Sequence, residues 1–196
     1  FKDNIKVKQI MYWFPMEFCD KSGNSGVLAK ANDEMSAVCQ SLGAEYRCPL
    51  RDEKYNIDGI EIHFLYVPDD CSILNTAGGN SNHCSLIFTV QGKNKKAMIT
   101  GDAYGRSMQM TVWRYHKKLK CDILQMPHHG LCDSYNMDFY KEVDAKTVLI
   151  PISIAGYRAM HSDLYAGRDG RESNIWVENN AENVYKAFEG TAIIDL

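Results

Sequence analysis

No apolar run in this sequence approaches the ~20 residues that cross a bilayer, and its start carries no basic stretch leading into an apolar one. No spanning helix is therefore expected in it, and an export signal could have been removed with a missing part. The seven cysteines are odd in number and scattered, with no Cys-x-x-Cys pair. That pattern fits reduced thiols in a cytosol better than a disulfide framework, so a cytoplasmic setting is the expectation. An excess of one charge is lacking as well: 22 basic against 25 acidic side chains leave a formal net charge of -3. A surface so nearly neutral has no field that would draw nucleic acid to the whole molecule, and any such contact must be local. Internal repeats and low-complexity tracts are also missing, which excludes repeat architectures.

What remains is the composition of an ordinary globular chain, 45% apolar and 24% charged over 196 residues. A chain of that length is expected to form one domain, residues 1–196, able to bury about 70% of its unfolded surface. Two stretches organise it. Met98-Ile99-Thr100-Gly101-Asp102 and Ile123-Leu124-Gln125-Met126-Pro127-His128-His129-Gly130 are short apolar runs that break off into acid or imidazole. Such runs, bounded by Gly or Pro, read as buried strands that deliver the next side chains to the rim of a sheet. Between them Met108, Val112, Tyr115 and Leu119 recur at spacings of 4, 3 and 4, which predicts a helix over 106–120. Strand, helix and strand in that order can bring both strand ends to one edge, so Asp102 and His129 are expected to share a site. Zinc, iron and manganese all accept a carboxylate and an imidazole, the kernel of a metal-assisted hydrolase.

Other elements follow from local pattern. A weakly alternating strand over 5–10 is ended by Pro15, and Leu28, Met35, Val38 and Leu42 predict a helix closed by Gly43 in a left-handed cap. Asp58-Gly59, between Tyr55-Asn56-Ile57 and the alternating run 60–66, predicts a hairpin with His63 as a partly exposed strand residue. A polar loop from Asp69 to Asn82 leads into a strand from Ser85 to Val90, and Gly92 to Lys96 turns into the strand from Ala97. Ser134 is expected to cap a helix running to Val143, followed by a strand from Thr147 to Ile152. Residues 154–171 read as loop, 180–188 as a closing helix and 191–196 as a last strand. Alternating elements of this kind give an α/β fold. Cys84 and Cys121, beside apolar runs, read as small hydrophobes of the core.

Three segments also carry a family likeness. Asn82-His83-Cys84-Ser85-Leu86-Ile87-Phe88, Thr100-Gly101-Asp102 and Met126-Pro127-His128-His129-Gly130 resemble, in that order, the second half of a metallo-β-lactamase-fold hydrolase. The likeness is to the hydrolase domain of competence DNA-uptake channel proteins and their free-standing relatives, and it covers roughly residues 55 to 155. It implies a metallo-β-lactamase-like αββα sandwich, incomplete on its N-terminal side, with one or two divalent ions, zinc or alternatively manganese, and hydrolysis of a phosphodiester. The resemblance makes Asp102 the carboxylate that bridges two cations and His129 a metal ligand, with His128, Asn82 and Ser85 at the substrate. An extracytoplasmic location would follow for part of an uptake channel. The family's earlier His-x-His-x-Asp-His motif is absent, since only His128 and His129 adjoin among the six histidines. With Phe1 at its start, the chain is expected to be the carboxyl-terminal portion of a larger domain whose missing N-terminal part completes the site. Leu131 stands where the family commonly continues with Ser.

Other readings of these residues stay open. Asn82 could start its strand by bonding its own backbone, and Asp102 could cap the following helix with no metal at all. His83 lies one position from the family's Asn, and His161 where relatives often carry a late His. Arg114, His116, Lys117, Lys118 and Lys120 read as a solvated helix face rather than a nucleic-acid patch. Two imidazoles at a buried strand end cost desolvation unless paired or coordinated, and neighbours on an extended chain point opposite ways. His129 is therefore assigned to the metal and His128 to a supporting or substrate contact. A metal-dependent hydrolase, with no turnover from this chain alone, is the expected function. The alternatives are a catalytically degenerate binding module and a metal-free thiol hydrolase built from His129, Cys132 or Cys84, and Asp102.

Overall fold

The computed structural model describes residues 6–12, 25–68 and 81–196. Strands β1 (Gln9–Met11) and β2 (Glu45–Arg47) pair in parallel, joined through helix α1 (Ser25–Leu42). The helix stops at Gly43, whose φ of 64° is the left-handed turn expected there.

The main sheet has seven strands, in spatial order β3 (Lys54–Ile57), β4 (Ile60–Tyr66), β5 (Ile87–Gln91), β6 (Lys96–Ile99), β7 (Ile123–Gln125), β8 (Thr147–Ile150) and β9 (Asn183–Lys186). β3 to β6 alternate in direction, and β6 to β9 run parallel. Asp58 and Gly59, at φ 51° and 84°, make the tight hairpin between β3 and β4, with the positive φ at both positions that a type I′ turn needs to match strand twist. The parallel half requires crossovers instead. Helices α2 (Gly105–Tyr115) and α3 (Met137–Val143) carry the chain from β6 to β7 and from β7 to β8, while α4 (Ile154–Met160) and α5 (Asp169–Asn180) carry it from β8 to β9. Met98, Leu124 and Val148 of the sheet share one buried cluster with Met108 and Val112 of α2 and Phe139 and Val143 of α3. Burying each such side chain stabilises by about 1.5–3 kcal/mol relative to exposing it. Cys84 and Cys121 are buried as expected, and burial pushes the Cys121 thiol up to about 12. Among the described residues no helix is long and apolar enough to cross a membrane.

The α/β class expected from the sequence holds, and so does the parallel pairing of the strands on either side of α2. Several elements differ. The helix expected over 106–120 ends at Tyr115, because His116 takes φ 44° and breaks the ladder; a 3-10 turn over His116–Leu119 then keeps Leu119 buried. Asn136, not Ser134, caps α3: its Oδ1 accepts from the Phe139 N–H at 2.8 Å, while Ser134 is buried and donates to the Ala103 carbonyl. Residues 154–171, read as loop, contain α4 and the start of α5, and Ser153 caps α4 by accepting from the Gly156 N–H at 3.2 Å. The helix expected over 180–188 is instead β9, paired from Asn183 opposite Thr147 to Lys186 opposite Ile150. Tertiary pairing overrides a weak local helical pattern there. No strand forms over 191–196. Of the strand expected over 5–10, Gln9 and Ile10 belong to β1 and Ile5 lies outside the described residues, as do 69–80 of the polar loop.

Candidate functional site

β6, β7 and β8 run parallel, so their carboxyl ends open onto one edge, and β5, antiparallel to β6, starts from that same edge. Register makes the convergence specific. Phe88 opposes Ile99, so three residues further out Ser85 meets Asp102, whose backbone N–H donates to Ser85 Oγ at 3.2 Å. Here the sheet changes from antiparallel to parallel pairing. Asn82, Ser85, Asp102, His128 and His129, the residues singled out from sequence, all reach this edge.

The turn carrying Asp102 is clamped by Gln125. Its Oε1 accepts from the N–H groups of Thr100 at 3.0 Å and Gly101 at 2.9 Å, while its Nε2 donates to the Met126 carbonyl at 2.7 Å. A glutamine inside an otherwise apolar strand is the sequence signal for this clamp, but its partners are set only by the register of β6 on β7. Asp102 does not cap α2, whose N-cap is Tyr104 without a side-chain bond.

His128 and His129 do not lie on extended chain, contrary to expectation. Their φ, ψ values are 47°, 44° and 58°, 16°, and Gly130 follows at φ 75°. Left-handed non-glycine residues cost about 1–3 kcal/mol each and persist where surrounding structure holds them. Here the His128 N–H donates to the Gly101 carbonyl at 3.0 Å and the Leu131 N–H to the His128 carbonyl at 2.9 Å. This curl, rather than strand alternation, sends the two rings to different partners.

His129 Nδ1 lies 2.7 Å from the Pro151 carbonyl, which can only accept, so Nδ1 carries a proton. Nε2 then faces Asp102 Oδ1 at 3.4 Å. In a neutral ring these are two acceptors turned toward each other, a pairing completed by a second ring proton or by a shared cation. His128 is held at both nitrogens: Nδ1 is 3.0 Å from Asp133 Oδ1, and the Asn82 side-chain amide meets Nε2 at 3.2 Å. A carboxylate can only accept, so the ring proton on this side sits on Nδ1. Asp133 Oδ2 accepts in turn from the Tyr104 hydroxyl at 2.8 Å. Asp133, Tyr104, Gln125 and the Pro151 carbonyl were not singled out from sequence, because nothing local to them reports what they meet.

His83 packs tilted against Tyr104 with ring centroids 5.3 Å apart, and its buried Nδ1 has no hydrogen-bond partner among the described residues. Burial, with the Arg106 charge second, holds its pKa below the usual imidazole value. His161 lies between α4 and α5, with Nδ1 2.9 Å from the Tyr157 carbonyl and Nε2 3.1 Å from Glu178 Oε1. The thiol reading loses its base, since His129 turns its nitrogens to Pro151 and Asp102 while Cys132 Sγ donates to Met160 Sδ at 3.2 Å. Burial also pushes the Cys132 thiol up, away from thiolate.

Among the described residues no three or more His, Cys, Asp or Glu side chains gather as a metal cluster. Asp102 and His129 thus offer two donors. The fit to a divalent ion is in the chemistry of the pair: a carboxylate and an Nε2 lone pair converge, and the opposite ring N–H is anchored on a carbonyl, as in metal-binding histidines generally.

No protein-family profile and no curated protein matches the chain. Solved structures do: 8 chains match, among them the crystal structure of a proposed Zn-dependent hydrolase of the metallo-β-lactamase superfamily from Thermotoga maritima. Identity is 14% and the TM-score 0.31, over 58% of this chain and 53% of the other. The chain spans about half the length of that protein, and so loose a superposition fixes neither family nor chemistry.

Proposed function

We propose that the chain contributes to a metal-dependent hydrolase in which Asp102 and His129 hold a divalent ion, zinc or manganese, and the substrate is a phosphodiester. The observation that carries this reading is the convergence of Asp102 Oδ1 and His129 Nε2 at 3.4 Å with the His129 Nδ1 proton committed to Pro151. A bound ion would supply Lewis acidity and a water of lowered pKa. Ser85 and Gln125 fix the backbone that presents Asp102. Asp133 pins the proton of His128 on Nδ1, so Nε2 is the atom that exchanges a proton or contacts the substrate. Asn82, now donating to that atom, is placed to donate to a substrate oxygen there instead. Further ligands would come from solvent, substrate or groups outside the described residues. The choice of a phosphodiester follows the likeness of the three motif segments and not their spacing.

Elemental analysis after purification in zinc and manganese tests the reading, together with hydrolysis of bis(4-nitrophenyl) phosphate. Near-stoichiometric metal in the wild type, lost in Asp102→Ala and in His129→Ala, is expected, with any turnover abolished by chelator. Metal content unchanged in both variants would overturn it. A second reading follows from the same pair: with His129 doubly protonated it closes as an ion pair, and the chain is a ligand-binding module without turnover. Ligand binding by metal-free protein, with no hydrolysis in any metal, would favour that one.

A further inference from the structure

Past the histidine turn, residues 131–133 run along one side of a cavity of about 360 Å³. Leu131, Ala159 and Met160 give it apolar walls, and Asp133, Tyr165 and Arg168 are its polar lining. The volume falls within the ~300–1,000 Å³ of small-molecule sites. The far wall is fixed by a close approach: a Cβ on Gly170 would sit 1.9 Å from the Cys132 carbonyl oxygen, so only glycine lets α5 begin against this segment. That contact anchors Arg168 two residues earlier. The exposed Arg168 guanidinium stands over the Tyr165 ring, 4.9 Å from its centroid. The two oxygens of Asp133 are engaged by His128 and by the Tyr104 hydroxyl, which leaves Arg168 as the charge on offer to a ligand.

Apolar walls that include a methionine favour a flat ring, and a guanidinium beside them favours an anion that can accept its paired N–H groups. We propose that this cavity binds an aromatic group bearing a negative charge, and that it seats such a group of the substrate beside His128. The first half stands on the cavity alone; the second rests on the hydrolase reading. Asp133 joins the two places, since it both lines the cavity and holds the His128 ring.

Phenyl phosphate, phenol and inorganic phosphate serve as probes of the whole chain without added metal, with two readouts. One is affinity by ligand-detected NMR; the other is protection of Cys132, a lining residue, from slow alkylation in mildly alkaline buffer, followed by mass spectrometry at that site. Phenyl phosphate is expected to bind and protect, while phenol and inorganic phosphate do so weakly. Arg168→Ala, an exposed position, should weaken phenyl phosphate about tenfold and leave phenol unchanged, as for loss of one charge-assisted contact. Ala159→Trp should abolish binding by filling the cavity, and Asp102→Ala and His129→Ala should not affect it. Absence of protection, equal affinity in Arg168→Ala, or loss of binding in His129→Ala would each overturn the proposal. Binding that obeys these rules while the metal and hydrolysis tests fail would remove the hydrolase reading and leave the cavity standing.

Discussion

Nε2 of His129 lies 3.4 Å from Oδ1 of Asp102, with side chains 46% and 40% exposed. At that exposure an ion pair contributes only about 0–1 kcal/mol. Asp102→Asn is therefore expected to leave metal-free stability within ~0.5 kcal/mol of wild type in urea unfolding. The same variant should lose the rise in Tm that zinc or manganese brings to the wild type, because a ligand stabilises only the state that binds it. A large loss of metal-free stability would show the pair to be structural.

Asp133 touches His128 and Tyr104 and is not one of the two groups proposed to hold the ion. Asp133→Ala should lower hydrolysis about 10–100-fold, the usual effect of losing a group that orients a site imidazole, with metal content unchanged. Steady-state rates measured beside elemental analysis separate this from loss of the ion.

Gln125→Leu leaves the N–H groups of Thr100 and Gly101 without their acceptor. A destabilisation of about 2–3 kcal/mol is expected in urea unfolding, with weaker metal uptake because the Asp102 turn is no longer clamped. Gln125→Glu keeps the acceptor but loses the donor to the Met126 carbonyl, and should fall between the two.

Gly170→Ala places a methyl group 1.9 Å from the Cys132 carbonyl oxygen, so α5 must shift. Overpacking of this kind costs about 1–3 kcal/mol, and backbone as the obstacle puts it at the upper end. Thermal unfolding reads the loss, and phenyl phosphate affinity should fall with it as the Arg168 wall moves.

His83 is held neutral in the fold by burial, which sets its folded pKa below that of the unfolded chain. The unfolded imidazole takes up a proton near pH ~6.5, so the stability this residue provides is complete above that pH and is lost as pH falls through the folded value. Unfolding free energy should drop more steeply from about pH 7 to about pH 5 in the wild type than in His83→Phe, which keeps an aromatic contact with Tyr104. Equal slopes in denaturant titrations would remove His83 from the acid response.

Asp58-Gly59 and Gly43 were legible because the constraint is local: a backbone that must take positive φ asks for Gly or Asp whatever surrounds it. Asp102 and His129 were legible for a related reason, since an apolar run ending in a polar residue places that residue at a strand end. β9 was not, because its short, half-exposed sequence becomes a strand only when β8 offers an edge 36 residues away in register, Thr147 to Asn183. α4 and α5 were hidden by the glycines of 154–171, whose low helical propensity is overcome by caps such as Ser153 and by packing.

The sequence by itself determined the α/β class, the strand, helix and strand that bring Asp102 and His129 to one edge, and the two turns that demand positive φ. Each rests on periodicity or backbone sterics within a few residues. Only the tertiary structure decided which nitrogen of each histidine is committed, that Asp133 and Gln125 hold the site, and that a cavity with an arginine rim lies beside it. Those outcomes depend on hydrogen bonds and close approaches between segments up to 46 residues apart, as between Asn82 and His128, and sequence spacing carries no record of such meetings.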